Sequence, residues 1–188
     1  MKGFSALVGM LAALLSVSTA QAAAGLMTSD VHLFSDGSAV VGAEAGLVTN
    51  DTGASMTLRT AELTPGDAVT VWWVVFNHPE NCSGPAPGHP FQCGRSDLFV
   101  PSVGASVLYA AGHVIGETGT GDFGGHLAVG DTSGALFGPG LLAPRTAHIH
   151  LVVHDHGPAR PDIVSQQIHT FGVCNPTCTD LQFAVFEQ

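Results

Sequence analysis

Val69-Thr70-Val71-Trp72-Trp73-Val74-Val75-Phe76 reads as a β-strand that is apolar on both sides. Side chains on a strand alternate, so Val69, Val71, Trp73 and Val75 share one face while Trp72, Val74 and Phe76 share the other. A strand of this kind has to be covered twice, which places it at the centre of a sheet and makes it the heart of the core. Upstream, Thr64-Pro65-Gly66-Asp67 sets Pro and Gly at the central positions of a type II turn. Residues 56–63 form the strand before it. Residues 31–34 and 39–42 flank Ser35-Asp36-Gly37-Ser38, where Asp-Gly suits a two-residue hairpin turn. Downstream, a Pro/Gly-rich loop over 77–97 interrupts the sheet, and strands follow at 106–115, 123–129, 147–155 and 181–186. Residues 163–171 read as either a helical turn or a strand. About eight short strands without a repeat or a long amphipathic helix predict an all-β, single-domain antiparallel β-sandwich or jelly roll, with a small β-barrel as the alternative.

The composition suits one domain with a sizeable core. The chain has 188 residues, 45% apolar and 11% charged. Fifteen acidic residues against five basic ones give a formal charge of −10, which disfavours nucleic acid and anionic membrane surfaces as partners. Lys2, an apolar run over 4–17 and Ala20-Gln21-Ala22 have the layout of a secretory signal peptide over residues 1–22, cleaved near Ala22 to Ala24. The run is short for a spanning helix, and no later stretch is apolar enough to cross a bilayer. The expected location is periplasmic or extracellular, with the single β domain covering 25–188.

Export sets the reading of the four cysteines. In an oxidising compartment an even count implies disulfides, and proximity favours Cys82 with Cys93 and Cys174 with Cys178. The first pair would staple the Pro/Gly-rich loop, which has little core of its own. Metal ligation by cysteine is set aside, because the chain has no C-x-x-C and Cys174-Asn175-Pro176-Thr177-Cys178 is one residue longer than the commonest zinc knuckle. Asn81-Cys82-Ser83 is formally a glycosylation sequon, idle behind a bacterial-type signal.

Ten histidines are present, and the densest run is Ala147-His148-Ile149-His150-Leu151-Val152-Val153-His154-Asp155-His156-Gly157. As a strand it puts His148, His150, Val152, His154 and His156 on one face and Ile149, Leu151 and Val153 on the other. Two imidazoles in an H-x-H pair stand about 7 Å apart at Cβ, from which both rings can converge on one ion. His148 and His150 form the leading pair. His154 and His156 form a second, with His156 about 20 Å beyond His150 if the strand is fully extended. A hairpin folding 106–115 onto 123–129 would bring His113 next to His126 and offer a third ligand beside the first pair, with register deciding their faces. The predicted metal set is therefore His148, His150 and His113, with His126 and His156 in reserve. Neutral imidazoles favour Cu or Zn over Ca²⁺ or Mg²⁺. The contrasting view gives these rings a pH-dependent positive charge and no ion. His32, His78, His89 and His169 lack ligand geometry and are assigned to turns and surface hydrogen bonds.

Motifs that would name an enzyme are missing. Gly119-Thr120-Gly121-Asp122-Phe123-Gly124 matches G-x-G-x-x-G but lies between two strands with no helix after it, so it is read as a turn. No nucleophile elbow, H-E-x-x-H or P-loop is present. Asp51-Thr52-Gly53-Ala54 resembles the D-T-G-[SA] turn of aspartic proteases, and Asp131-Thr132-Ser133-Gly134 is a broken copy. Asn50 and Thr49 replace the usual apolar lead-in, which favours two ordinary polar turns.

Three segments carry a wider likeness: 71–82 (VWWVVFNHPENC), 109–114 (YAAGHV) and 149–159 (IHLVVHDHGPA). They resemble those of a group of secreted bacterial proteins, and the resemblance implies a single exported domain without implying a mechanism. The His148-Ile149-His150 segment also resembles the H-x-H strand of copper/zinc superoxide dismutases. The chain lacks that family's ligand arrangement and disulfide spacing, so the activity is not carried over. The sequence leads to an exported β-sandwich binding Cu or Zn in a metal-handling or metal-dependent redox role. The alternative is a non-catalytic envelope or extracellular binding module, whose loops around 85–90 and 134–144 meet a small molecule or a protein.

Overall fold

The computed structural model describes residues 25–188 apart from His89. The segment read as a signal peptide lies outside the described residues. Ten strands follow one another: β1 (Gly25–Ser29), β2 (His32–Leu33), β3 (Glu44–Asn50), β4 (Gly53–Thr60), β5 (Asp67–Phe76), β6 (Ala105–Val114), β7 (Gly121–Ala128), β8 (Ala135–Phe137), β9 (His148–Pro158) and β10 (Thr179–Phe186). They form two antiparallel sheets, ordered β1-β3-β4-β7 and β2-β10-β9-β5-β6-β8, that stack as a sandwich. The sheets do not close into a barrel.

β5 sits in the middle of the six-stranded sheet, between β9 and β6, and every one of its residues is buried. Its inner face, Val69, Val71, Trp73 and Val75, meets Leu47, Met56, Leu58, Phe123 and Leu127 of the four-stranded sheet in the main core. Its outer face, Trp72, Val74 and Phe76, packs under the 77–103 loop with Cys93, Val103, Ala105 and Val107. The double covering read from the alternation is thus achieved by a sheet on one side and a loop on the other. The loop has two short 3-10 turns, Pro79–Asn81 and Arg95–Asp97, and the Cys82–Cys93 disulfide. Cys174 pairs with Cys178, so both expected bridges are present.

The β6–β7 hairpin is not formed. β6 pairs with β5 and β8 in the six-stranded sheet, whereas β7 pairs with β4 in the other. The reason lies in which faces each strand buries. β6 begins with four buried residues, Ala105, Ser106, Val107 and Leu108, and needs a sheet covered on both sides. β7 buries Gly121, Phe123 and Leu127 while Asp122, Gly124 and His126 face solvent, as does the alternating β4 it pairs with. Residues 115–120 therefore carry the chain from one sheet to the other, with Gly119 N–H bonded to Gly116 O and Gly119 O accepting from Leu63 N–H. The G-x-G-x-x-G match is this turn.

Other turns follow the sequence in kind. Asp67 N–H donates to Thr64 O with Gly66 at φ +87°, as the Pro-Gly turn requires. The first hairpin forms with a four-residue loop instead of two. Leu33 N–H bonds to Ser38 O, and only Gly37 has positive φ, because Asp36 instead accepts from the Ser38 N–H and hydroxyl. Residues 164–167 are a single helical turn, α1 (Val164–Gln167). β1, β3 and β8 were not anticipated.

Candidate metal centre

β9 pairs His148 with Phe76, His150 with Val74 and His154 with Thr70, all on the outer face of the six-stranded sheet. The ring of His156 joins them, edge-on to His154 at 4.8 Å between centroids. The single-face row of imidazoles is therefore real, and all four are buried, His156 completely. Two loops close over the row. Phe91 and Cys93 of the first loop cover His148 and His150, while the 160–178 segment covers His154 and His156.

At the far end, hydrogen bonds fix both rings. His154 Nδ1 lies 2.6 Å from Asp180 Oδ1 and Nε2 lies 3.1 Å from Phe171 O, with the ring stacked on Phe171 at 4.2 Å. His156 Nδ1 lies 2.9 Å from Val173 O and Nε2 lies 2.9 Å from the Thr70 hydroxyl. Thr70 Oγ1 accepts from Trp72 Nε1–H at 2.8 Å, which frees its own proton for His156 Nε2. The chain Trp72 to Thr70 to His156 to Val173 thus assigns the neutral imidazole protonated on Nδ1. Burial pushes the His156 pKa down and the neighbouring His154 adds to that, against smaller opposing effects of the Val173 carbonyl and Asp155.

Cys178 Sγ stands 3.5 Å from His156 Nδ1 and 3.7 Å from Phe171 O. Among the described residues, His154, His156 and Cys178 are the one group of three His, Cys, Asp or Glu side chains whose ligand atoms all lie within 4.8 Å of one another. Cys178 is tied into its disulfide here, so the group offers two imidazole nitrogens as it stands and becomes a nitrogen, nitrogen and sulfur set for a transition-metal ion when that bond is reduced.

No family model, no curated protein and no solved structure matches this chain.

Of the five predicted ligands, His156 belongs to the three-residue group and the other four lie elsewhere. His148 Nδ1 faces Cys93 Sγ at 3.9 Å and Glu187 Oε1 at 4.0 Å, while His150 packs edge-on between Phe76 and Phe91. Neither belongs to the three-residue group. His113 pairs with Val69 and stacks on Phe123 at 4.3 Å in the space between the sheets, where burial pushes its pKa down against the pull of Asp122. His126 is exposed on the four-stranded sheet with Nδ1 2.9 Å from Ser55 Oγ. With β6 and β7 in different sheets, the third ligand expected from their hairpin is not delivered to the His148–His150 pair.

His154, Cys178 and Asp180 were missed as a constellation. The H-x-H spacing of 154 and 156 was visible, but pairing β10 with β9 is what sets Asp180 opposite His154. Elsewhere, Asp51 is ion-paired with Arg145 at 2.6 Å and Asp131 accepts from Ser133, so the two D-T-G-like stretches are turns with engaged carboxylates. His32 stacks on Phe183, His78 faces Glu80 and His169 Nδ1 faces Ser165 O, in keeping with their assignment to local contacts.

Proposed function

We propose that this chain is an exported transition-metal-binding domain with its centre at His154, His156 and Cys178. The observation that carries the reading is the mutual approach of their ligand atoms within 4.8 Å. A second feature supports it. A ligating histidine usually has its other nitrogen held by a partner that orients the ring. Asp180 accepts from His154 Nδ1, and Thr70 Oγ1 accepts from His156 Nε2 once the His156 proton has moved from Nδ1 to Nε2 as metal binding requires. That leaves His154 Nε2 and His156 Nδ1 as the ligand atoms. Both now bond to loop carbonyls, Phe171 O and Val173 O, which an entering ion displaces. Imidazole with sulfur selects Zn²⁺ or copper over Ca²⁺ and Mg²⁺.

The test is titration of the purified mature protein with Zn²⁺ and Cu⁺, with and without a dithiol reductant. Binding in either state that is lost in His154→Ala and His156→Ala, and kept in His148→Ala/His150→Ala, supports the centre. Binding in neither state overturns it, and loss only in the His148/His150 variant moves the ion to the other end of the row.

One observation favours a second reading, a non-catalytic binding module in which the histidines are structural. Every ring nitrogen of His154 and His156 already has a hydrogen-bond partner. On that reading metal has no effect on melting, and partner capture depends on the covering loops.

A further inference from the structure

The two disulfides differ in what surrounds them. Cys82–Cys93 joins cysteines eleven positions apart in the first loop, and Cys93 is fully buried against Pro79 and His148. Cys174–Cys178 is half-buried, joins cysteines only four positions apart, and sets one sulfur against an imidazole of the candidate centre. The chain on both sides of it is pinned by other means. Asn175 N–H bonds to His156 O at 2.7 Å and its side-chain amide bonds to Pro158 O at 2.9 Å. Beyond Cys178, Thr179 and Asp180 are already in the β10 ladder opposite Asp155 and His154. Breaking this bond therefore leaves both sulfurs tethered at the site, and it turns a poor donor into a thiolate, the form of cysteine that binds metal.

We propose that Cys174–Cys178 is a thiol gate on the metal centre, closed as the disulfide and open as the dithiol, with Cys174 as the fourth ligand. The inference rests on the metal-binding reading above. Two electrons and two protons from a dithiol reductant convert the S–S bond into two thiols, and the reductant becomes a disulfide. Binding of the ion then releases one proton from each thiol to solvent. Two Zn–S bonds of about 2.3 Å at a tetrahedral angle set the sulfurs roughly 3.8 Å apart. The Cα–Cα distance of 5.1 Å accommodates that separation through side-chain rotation. The open form is a His₂Cys₂ site, which suits Zn²⁺ and also Cu⁺. The closed form offers two imidazoles whose ligand nitrogens are held by loop carbonyls.

The experiment is anaerobic competition for Zn²⁺ against a chromophoric chelator, on full mature protein in its disulfide form, after mild dithiol reduction, and as Cys174→Ala and Cys174→Ala/Cys178→Ala. Reduction is expected to tighten Zn²⁺ binding by roughly 100-fold or more. Cys174→Ala, with Cys178 permanently free, binds tightly without reductant but less tightly than the reduced wild type. The double variant stays weak in both conditions. Equal affinity of the disulfide and dithiol forms, with His154→Ala still weakening both, overturns the gate and leaves the metal centre standing. Absence of binding in every sample overturns both. A reduced sample that loses its near-ultraviolet circular dichroism also overturns the gate, which requires the fold to outlast the bond.

Discussion

Thr70 shows how much one buried hydroxyl organises. It accepts from Trp72, donates to His156, and stands opposite His154 in the ladder. Thr70→Val keeps the shape and removes both hydrogen bonds, leaving two buried ring nitrogens unsatisfied. The expected loss is about 1–3 kcal/mol in denaturant unfolding, restored in part by Thr70→Ser. Gly157 is as constrained by its backbone. Its φ is +74°, and a Cβ there would collide with the Asn175 carbonyl of the loop over the histidines. Gly157→Ala is expected to destabilise by more than about 1–2 kcal/mol, measured as a lowered melting temperature. Asp67 gives a pH signature. Burial, then the nearby Asp155 carboxylate, push its pKa up, against a hydrogen bond from Thr64. A carboxyl with a raised native pKa favours the folded state while protonated, and that contribution is lost as pH rises through the native value. Asp67→Asn should therefore melt higher than the wild type at pH 7, with the gap closing at pH 3. A gap that widens on acidification would contradict this account.

At the scale of elements, β9 works as a hinge between two chemistries. Its inner residues Ile149, Leu151 and Val153 are core, while its outer histidines are sealed under two loops. The seal is local, since each loop has its own disulfide. Removing Cys82–Cys93 by Cys82→Ser/Cys93→Ser should cost about 2–4 kcal/mol by freeing the unfolded loop. It should open His148 and His150 to solvent while leaving the His154–His156 end covered. Histidine proton exchange followed by NMR checks this end by end. Gln182 plays the corresponding role inside the sandwich, where its amide bonds to the Thr60 hydroxyl and to Ala61 O, joining β10 to the end of β4.

For the whole molecule, the adjacent tryptophans report on two separate layers. Trp73 lies in the core between the sheets, and Trp72 lies in the outer cluster beneath the loop. Both ride on β5, so single-tryptophan variants Trp72→Phe and Trp73→Phe should unfold as one cooperative transition with the midpoint unchanged between reporters once stability is normalised. Reduction of both disulfides should disturb the Trp72 signal first. An independent early transition at Trp73 would show that the sheets are separable units. No helix among the described residues is long and apolar enough to cross a membrane.

The sequence by itself determined what depends on alternation within a strand and on the shortest-range cysteine pairings. The two apolar faces of β5, the shared face of His148, His150, His154 and His156, the two short-range disulfides and the sandwich class all follow from period-two patterning and local turn chemistry. What only the tertiary structure decided was pairing across distance. It put β6 and β7 in different sheets, β6 with its buried first half against the doubly covered β5 and β7 with its one-sided burial against the alternating β4. That choice dispersed His113 and His126. The pairing of β10 with β9 then placed Asp180 against His154, and the folding of the 160–178 segment placed Cys178 against His156. The H-x-H spacing could name two ligands, but a third that is more than twenty residues away is brought in by packing, which no local pattern encodes.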